Sequence, residues 1–211
     1  YYVNDAGRQV SILTSSLLLN AYVKSFESDG TYEGDYIKEL AKTFRTNFGE
    51  LDKVIDFGHL DEDKDIRLDA ISKYFKSEFS DAWREAKKFA VKEILNLIKK
   101  DLHSFNIIHD HWFSESSLGA VEDNNSDLSK SLKALKNNGY TYAKDGAEWF
   151  KTTEFGDDKD RVLLRENKEP TYYLTDVGYH KNKIDRDFDS YINIFGADHH
   201  GYIPRLSAAF N

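Results

Sequence analysis

The chain has 211 residues, of which 40% are hydrophobic and 31% charged, and its formal net charge is −8. This composition supports a sizeable core in one large domain or two small ones, and the negative charge argues against non-specific binding of nucleic acid. The lack of cysteine excludes disulfides, thiolate metal sites and a cysteine nucleophile. Neither a signal peptide nor a run of ~18 apolar residues is visible.

The chain also lacks methionine, even at its first position. It is therefore a processed product, an internal segment of a longer protein, or a sequence from which methionines are missing. Residues 1–3 have the composition of a strand already under way, which favours an internal segment.

The first half of the chain is predicted to be mainly helical. A strand at residues 1–3 is followed by the turn and cap signal NDAG at residues 4–7. Apolar residues then recur at helical spacing. The predicted helices cover residues 8–26, 34–48 and 61–105, with one break near residues 79–81. The acidic run at residues 61–65 indicates a helix N-terminus, where the helix dipole favours negative charge.

The second half mixes strands and helices. In chain order we predict a strand at 106–113, a helix at 127–138 that ends at Gly139, a hairpin of 140–143 with 147–150, a second hairpin of 161–165 with 171–174, a helix at 176–185, a buried strand at 191–195 and a closing helix. This order predicts an α/β domain with a large helical insertion. Its α/β core would take residues 1–26 and 106–211, and residues 27–105 would form the helical region.

The turn GADHHGY at residues 196–202 follows the predicted buried strand. Open α/β sheets bind ligands beyond the carboxyl ends of their strands. Gly196 would let a ligand approach the backbone, and Asp198 can accept hydrogen bonds from a sugar diol. An ordinary strand-to-helix turn is the alternative.

Tyr172 and Asp176 lie four residues apart, where a predicted strand gives way to a helix. A carboxylate at this place can pair with a cationic ligand, and a guanidinium fits it through two parallel hydrogen bonds. The phenol can add another hydrogen bond. Taken alone, the pair is better explained as a capping aspartate and a core tyrosine.

Three patterns raise the question of a metal. His109 and His111 alternate on the predicted strand and would face the same side, but two histidines are weak evidence. Asp198-His199-His200 resembles the D-H-H signature of metal-dependent phosphoesterases, yet the H-x-D-x-D motif of that class is absent. The acidic run at residues 155–161 offers carboxylates to a divalent cation. Because its spacing lacks the EF-hand ligand pattern, a tight exposed turn is the favoured interpretation.

Six segments together resemble one family, the bacterial-type arginyl-tRNA synthetases, which are class I aminoacyl-tRNA synthetases. In family order they are YYVNDAGRQ at 1–9, WFSESSL at 112–118, DGAEWF at 145–150, FGDDKDRVL at 155–163, PTYYLTDVGYH at 170–180 and GADHHGY at 196–202. Each segment is weak alone, but six in order across nearly the whole chain are specific.

The resemblance implies a partial Rossmann-like nucleotide-binding domain with a mainly helical insertion. It implies a ligase that activates L-arginine with ATP and transfers it to arginine tRNA, with bound tRNA needed for activation. No covalent enzyme intermediate is expected, so catalysis rests on positioning and charge stabilisation. ATP would be a substrate, Mg²⁺ would be needed by the full-length enzyme, and no cofactor would be tightly bound. The protein would be cytoplasmic and make no membrane contact.

The resemblance also implies roles for individual residues. Tyr172 and Asp176 match the contacts to the arginine side chain, and Glu115 faces the substrate amine. Gly196, Asp198 and His199 match the ATP-binding turn, with Asp198 near the ribose and His199 near the adenosine or the arginine. The residues that flank the pocket, with a structural role, are Asn4, Asp5, Gly7 and Gln9. No catalytic acid, base or nucleophile and no metal ligand is assigned.

Two ATP signatures of the family do not occur in the chain. H-x-G-H would lie before Tyr1, and the K-M-S-K-S-like loop would lie beyond Asn211; residues 129–131 mimic part of that loop within a predicted helix. The anticodon-binding and N-terminal tRNA-binding domains are also missing. We therefore expect an inner fragment of the catalytic domain without activity alone. A D-H-H-type phosphoesterase and a non-catalytic interaction module derived from a synthetase are the alternatives.

Overall fold

The computed structural model describes the backbone of residues 1–210, and Asn211 lies outside the description. Four side chains also lie outside the description, those of Asp198, His199, His200 and Phe210. The chain divides into two compact units, Tyr1–Trp112 and Phe113–Asn211.

The first unit consists of a short strand and four helices. In chain order they are β1 (Tyr2–Val3), α1 (Arg8–Tyr22), α2 (Asp35–Phe48), α3 (Lys64–Glu78) and α4 (Ser80–Ser104). Helix α1 packs against the other three. The core takes apolar side chains from all four helices, among them Leu17, Leu18, Ile37, Phe75 and Ala86. Burial of this shared apolar surface stabilises the unit, and the helices predicted for the first half are confirmed.

Helix α3 begins at the predicted acidic run. The Asp63 carboxylate accepts hydrogen bonds from the backbone N–H groups of Asp65, at 2.8 Å, and Ile66, at 3.1 Å. These bonds lower the pKa of Asp63, as expected for a capping carboxylate. At the other end, Phe79 leaves the helical conformation, with φ −132° and ψ 50°. The predicted break in the long helical tract is therefore confirmed.

The second unit combines short strands with helices. In chain order they are β2 (Phe113–Ser114), the 3₁₀ helix Glu115–Leu118, α5 (Asp127–Asn137), β3 (Thr141–Lys144), β4 (Ala147–Phe150), the 3₁₀ helix Thr152–Phe155, β5 (Arg161–Leu164), α6 (Tyr172–Ile184), the 3₁₀ helix Ala197–Tyr202 and α7 (Ile203–Phe210). Strands β3, β4 and β5 form an antiparallel sheet in that order.

The first predicted hairpin is confirmed. Strands β3 and β4 pair with Thr141 opposite Phe150 and Lys144 opposite Ala147. The turn residues Asp145 and Gly146 both have positive φ, at 49° and 74°. Such a two-residue turn matches the right-handed twist of the paired strands, and Asp-Gly is a sequence that favours it.

The strand predicted at residues 106–113 is wrong, because only Phe113 and Ser114 are extended in β2. Asn106 adopts the left-handed conformation, with φ 59°. The N–H of Ile107 turns back to the carbonyl of Leu102 at 2.9 Å. The chain therefore bends at the end of α4, and the apolar Ile107 and Ile108 do not join a sheet. His109 and His111 accordingly do not share the face of a strand.

The second predicted hairpin forms only its first strand. Residues 171–174 are not a strand, because Thr171 caps α6 and Tyr172 is the first helical residue. The return toward β5 is reduced to an isolated bridge between Leu164 and Pro170. Proline has no N–H to donate to a ladder, and threonine at an N-cap competes with strand formation.

The buried strand predicted at residues 191–195 is also wrong. This segment lies outside strands, and Ile192 and Ile194 are 83% and 93% exposed. A strand needs a neighbour that satisfies its backbone groups, and no strand in the described part of the second unit pairs with this one. The Tyr191 hydroxyl instead donates to the Ile184 carbonyl at 3.0 Å.

The architecture is therefore mixed α and β with small sheets. Within residues 1–210, we find no helix with both the length and the apolar character needed to cross a membrane.

We expect Phe75→Ala to lower the free energy of unfolding by about 3–5 kcal/mol, because the Phe75 ring is fully buried between the helices of the first unit. Urea denaturation followed by circular dichroism measures this change. Phe105→Ala is the matched control, since Phe105 is exposed, and it should stay within about 0.5 kcal/mol of wild type. Equal losses in the two variants would contradict this description of the core.

Candidate functional site

Thr171 fixes the point at which α6 begins. Its hydroxyl donates to the Val162 carbonyl at 2.7 Å, and its backbone N–H donates to the Leu163 carbonyl at 2.9 Å. The same hydroxyl oxygen accepts the N–H of Leu174 at 3.4 Å. Strand β5 thereby holds the N-terminus of α6, which places Tyr172 in the first turn of the helix. The Tyr172 side chain is open to solvent, with the residue 79% exposed.

Asp176 lies one helical turn after Tyr172 and is partly buried. Residues four apart on a helix are neighbours on one face, so the structure places the two predicted arginine contacts side by side. The Asp176 carboxylate accepts a hydrogen bond from the Tyr202 hydroxyl. Burial, together with this bond, raises the pKa of the Tyr202 phenol. The phenol is therefore a neutral donor to the carboxylate.

The main chain at Asp176 is fixed as well. The Nδ1–H of His180 donates to the Asp176 carbonyl at 2.9 Å, which sets the tautomer of the imidazole. His180 is buried, and this burial lowers its pKa. A neutral His180 thus bonds the main chain of the helical turn that carries the Asp176 carboxylate.

A second phenol ties α6 to α7. The buried Tyr173 hydroxyl donates to the Arg205 carbonyl at 2.7 Å, and burial raises the pKa of Tyr173. The Arg205 guanidinium lies 5.4 Å from the centre of the Tyr202 ring, within the range of a cation–π contact. Tyr202 is thus held through its ring and through its hydroxyl.

Glu115 opens the 3₁₀ helix Glu115–Leu118, which packs against α6. The contact is close because Gly178 has no side chain. A Cβ at this position would lie 3.0 Å from Leu128 Cδ2 and 3.4 Å from Leu118 Cδ2. Gly178 therefore lets this 3₁₀ helix and α5 approach α6, two residues after Asp176.

The nucleotide side of the predicted site is described in part. Gly196 is exposed and caps the 3₁₀ helix Ala197–Tyr202, with φ −65° and ψ 157°. The side chains of Asp198 and His199, and that of His200 in the D-H-H pattern, lie outside the described residues. Tyr202 ends this 3₁₀ helix and reaches Asp176 across 26 residues of sequence. This contact was missed because no spacing rule connects positions so far apart.

Aspartates of the acidic run at residues 155–161 are bonded by side chains of the same chain. Arg161 binds both oxygens of Asp157, at 2.7 and 2.8 Å, and also bonds Asp158. Asp160 accepts hydrogen bonds from the hydroxyls of Thr153, at 2.7 Å, and Tyr142, at 3.0 Å. The Asp157 side chain is only 2% exposed, so the run is less open than the predicted exposed turn. The bidentate ion pair strongly lowers the pKa of Asp157.

In the described part of the chain we find no group of three or more histidine, aspartate or glutamate side chains arranged so that it could hold a metal ion. His109 instead packs against aromatic rings of the first unit. Its ring centre lies 5.4 Å from that of Tyr1 and 5.6 Å from that of Trp112.

The motif at residues 4–9 forms the entry to α1. Gly7 caps the helix with φ 93°, a value in the left-handed region that glycine tolerates best. The Oε1 of Gln9 accepts a hydrogen bond from the Tyr32 hydroxyl at 3.4 Å. Asn4 and Asp5 precede this turn, and the N–H of Asp5 donates to the Val3 carbonyl at 3.0 Å.

Comparison with known proteins leads first to a class, the aminoacyl-tRNA synthetases. No family model matches the chain. Among solved structures, a protein assigned as arginyl-tRNA synthetase from Campylobacter jejuni superposes with a TM-score of 0.74 at 33% identity, over 100% of this chain and 41% of that one. The arginyl-tRNA synthetase of Thermus thermophilus gives a TM-score of 0.53 at 19% identity, over 85% and 28%, and supports the fold alone.

Within that class the chain corresponds to part of arginyl-tRNA synthetase, so the resemblance carried by the six segments is confirmed. The arginine–tRNA ligases of Psychrobacter cryohalolentis and Legionella pneumophila (strain Corby) are 38% and 42% identical to it over 99% of its length. That of Oceanobacillus iheyensis is 42% identical, also over 99%. The chain spans 37%, 37% and 34% of the lengths of these relatives.

We expect the free energy of unfolding to fall less steeply with decreasing pH in Asp157→Asn than in wild type. The pKa of Asp157 is lower in the folded protein than the ~3.9 of an unfolded aspartate. Its contribution is therefore present above that value and is lost as the pH falls toward the folded pKa. At pH 7 the variant should lose about 3 kcal/mol, because the nearly buried Arg161 loses its bidentate partner and keeps only the exposed Asp158.

Urea denaturation at a series of pH values from 7 to 2 measures both effects. Asp158→Asn is the matched control, because Asp158 binds the same arginine but its side chain is 74% exposed. It should change stability by less than about 1 kcal/mol. The same acid limb in wild type and Asp157→Asn would overturn the assignment.

Proposed function

We propose that the protein acts as an arginine–tRNA ligase, which activates L-arginine with ATP and transfers it to arginine tRNA, and that the second unit carries the arginine side of the site. The observation that carries this proposal is the placement of the Asp176 carboxylate, on the helical turn that follows the exposed phenol of Tyr172. The correspondence to arginine–tRNA ligases over 99% of the chain supports it.

In this proposal Asp176 binds the guanidinium of the substrate through two parallel hydrogen bonds. Such a charge-assisted pair is stronger than a neutral hydrogen bond and specifies a planar cation. The Tyr172 hydroxyl adds a donor or acceptor at the rim, since its side chain is open to solvent. Glu115 would pair with the α-amino group of arginine from the 3₁₀ helix that rests on Gly178.

We further propose that Gly196, Asp198 and His199 bind ATP, with Asp198 at the ribose. The exposed backbone of Gly196 at the start of a 3₁₀ helix supports close approach of a ligand there. This assignment belongs to a Rossmann-like nucleotide-binding domain of which the chain would supply part. The segment order shared with the family supports that finer description of the fold.

Catalysis would consist of holding the arginine carboxylate against ATP, without a nucleophile from this chain. Mg²⁺ would neutralise phosphate charge when bound with ATP. The described residues bring together no three potential ligands for it, so we assign no protein ligand and no step to the metal. We propose arginine tRNA as the macromolecular partner and the cytoplasm as the location.

The two alternatives are not favoured. The relatives that align with 99% of the chain are named arginine–tRNA ligases. They give no support to a D-H-H-type phosphoesterase or to a non-catalytic interaction module.

We expect Asp176→Asn to weaken L-arginine binding by roughly 10- to 150-fold, because a charged hydrogen-bonded pair contributes about 1.5–3 kcal/mol. Isothermal titration calorimetry on the protein as its gene encodes it measures this change. Wild type should also discriminate against L-citrulline, which replaces the guanidinium by a neutral group of the same shape.

Asp185→Asn is the matched control, since Asp185 caps the other end of α6 and pairs with Lys181 on the surface. It should bind arginine as wild type does. Equal affinity for arginine in wild type and Asp176→Asn, or equal affinity of wild type for arginine and citrulline, would refute the assignment of the pocket.

A further inference from the structure

Among the described residues, a hydrogen bond between Tyr202 and Asp176 joins the two halves of the proposed site. Tyr202 is the last residue of the 3₁₀ helix that begins after Gly196, on the nucleotide side. Its hydroxyl donates to the carboxylate of Asp176, on the arginine side. The same carboxylate is thus the proposed ligand of the guanidinium and the acceptor of a phenol from the other half.

Tyr202 is well placed to hold this carboxylate in one orientation. Its side chain is partly buried, and the Arg205 guanidinium lies over its ring at 5.4 Å. The Tyr173 hydroxyl fixes the main chain of Arg205 at 2.7 Å, so the residue that supports the Tyr202 ring is itself tied to α6. The phenol therefore approaches Asp176 from a constrained direction.

A carboxylate group has, in general, enough acceptor positions for a phenol and a guanidinium together. An ionised carboxylate has about four lone-pair positions on its two oxygens. The phenol takes one of them, and a guanidinium fork needs two parallel positions, one on each oxygen. A phenol that fixes the rotation of the carboxylate leaves it prepared for the fork, and this preparation lowers the entropy lost when arginine binds.

We propose that Tyr202 is a positioning residue that couples nucleotide binding at the Gly196 turn to arginine binding at Asp176. This inference rests on the proposed function of the site. A nucleotide bound at the Gly196 turn contacts the 3₁₀ helix that ends at Tyr202, and the Tyr202 hydroxyl carries this contact to the Asp176 carboxylate. Because coupling between two ligands is reciprocal, arginine bound at Asp176 strengthens nucleotide binding by the same factor.

Calorimetric titrations of L-arginine, with and without saturating α,β-methylene ATP, test the proposal on the protein as its gene encodes it. This analogue carries a methylene in place of the oxygen at the bond that activation cleaves. In wild type the analogue should lower the Kd for arginine by at least about fivefold, the lower end of usual coupling factors. In Tyr202→Phe, which keeps the ring and loses the donor, the factor should fall below about twofold.

Tyr142→Phe is the matched control. It also removes a phenol that donates to a carboxylate of the second unit, but this bond, at 3.0 Å, ends on Asp160 rather than on Asp176. Tyr142→Phe should keep the wild-type coupling factor, whereas a merely structural role of Tyr202 predicts similar effects of the two variants.

The outcomes separate this inference from the proposed function. Arginine binding that depends on Asp176 but has the same coupling factor in wild type and Tyr202→Phe overturns the coupling and leaves the function standing. Wild-type binding unaffected by the analogue does the same. Absence of arginine binding in wild type overturns both.

Discussion

The second unit depends on a single threonine. The Thr171 hydroxyl spans the junction of β5 and α6, where it donates to the strand and accepts the N–H of Leu174 in the first turn of the helix. This double use satisfies backbone groups that would otherwise stay unpaired. It also sets the rotation of α6, and this rotation decides which side chains face inward. Tyr173 and Leu174 enter the core, while Tyr172 stays in solvent and Asp176 lies at the boundary.

Two aspartates of the second unit lie in different environments, one suited to a structural role and the other to the proposed binding of arginine. Asp157 is buried and bound on both oxygens by an arginine of its own chain. Its charge is matched within the fold. Asp176 is only partly buried, and the bond described to its carboxylate comes from a phenol that burial keeps neutral. In the proposed function this carboxylate also binds the guanidinium of the substrate.

The sequence predicted the regular parts of the fold well. Helical spacing and caps located α1 to α5, and Asp145-Gly146 located the hairpin of β3 and β4. The prediction failed where the local composition favours a strand but the described fold does not pair the segment with a neighbouring strand. Residues 191–195 are apolar enough for a buried strand, yet in the described structure no strand pairs with them. Residues 171–174 favour a strand by composition, but the capping hydroxyl of Thr171 starts a helix instead.

The candidate site divides in the same way. Tyr172 and Asp176 could be named from the sequence because both belong to the short segment 170–180 that resembles the family. The bond from Tyr202 to Asp176 could not be predicted, since it depends on how the 3₁₀ helix returns to α6 after 26 residues. The ligand-binding roles of all the candidate residues stay predictions that the resemblance implies, namely those of Tyr172, Asp176, Glu115, Gly196, Asp198 and His199.

The exposed segment at residues 191–195 has a practical consequence for handling the protein. Its sequence, YINIF, is rich in β-forming residues and has no charge or proline. Short segments of this kind are prone to pair with copies of themselves when they are uncovered. A preparation in which this segment stays exposed is therefore liable to aggregate through intermolecular strand pairing. A charged substitution at the exposed Ile194 is the most direct way to suppress such aggregation, because this side chain contributes almost no burial to the unit.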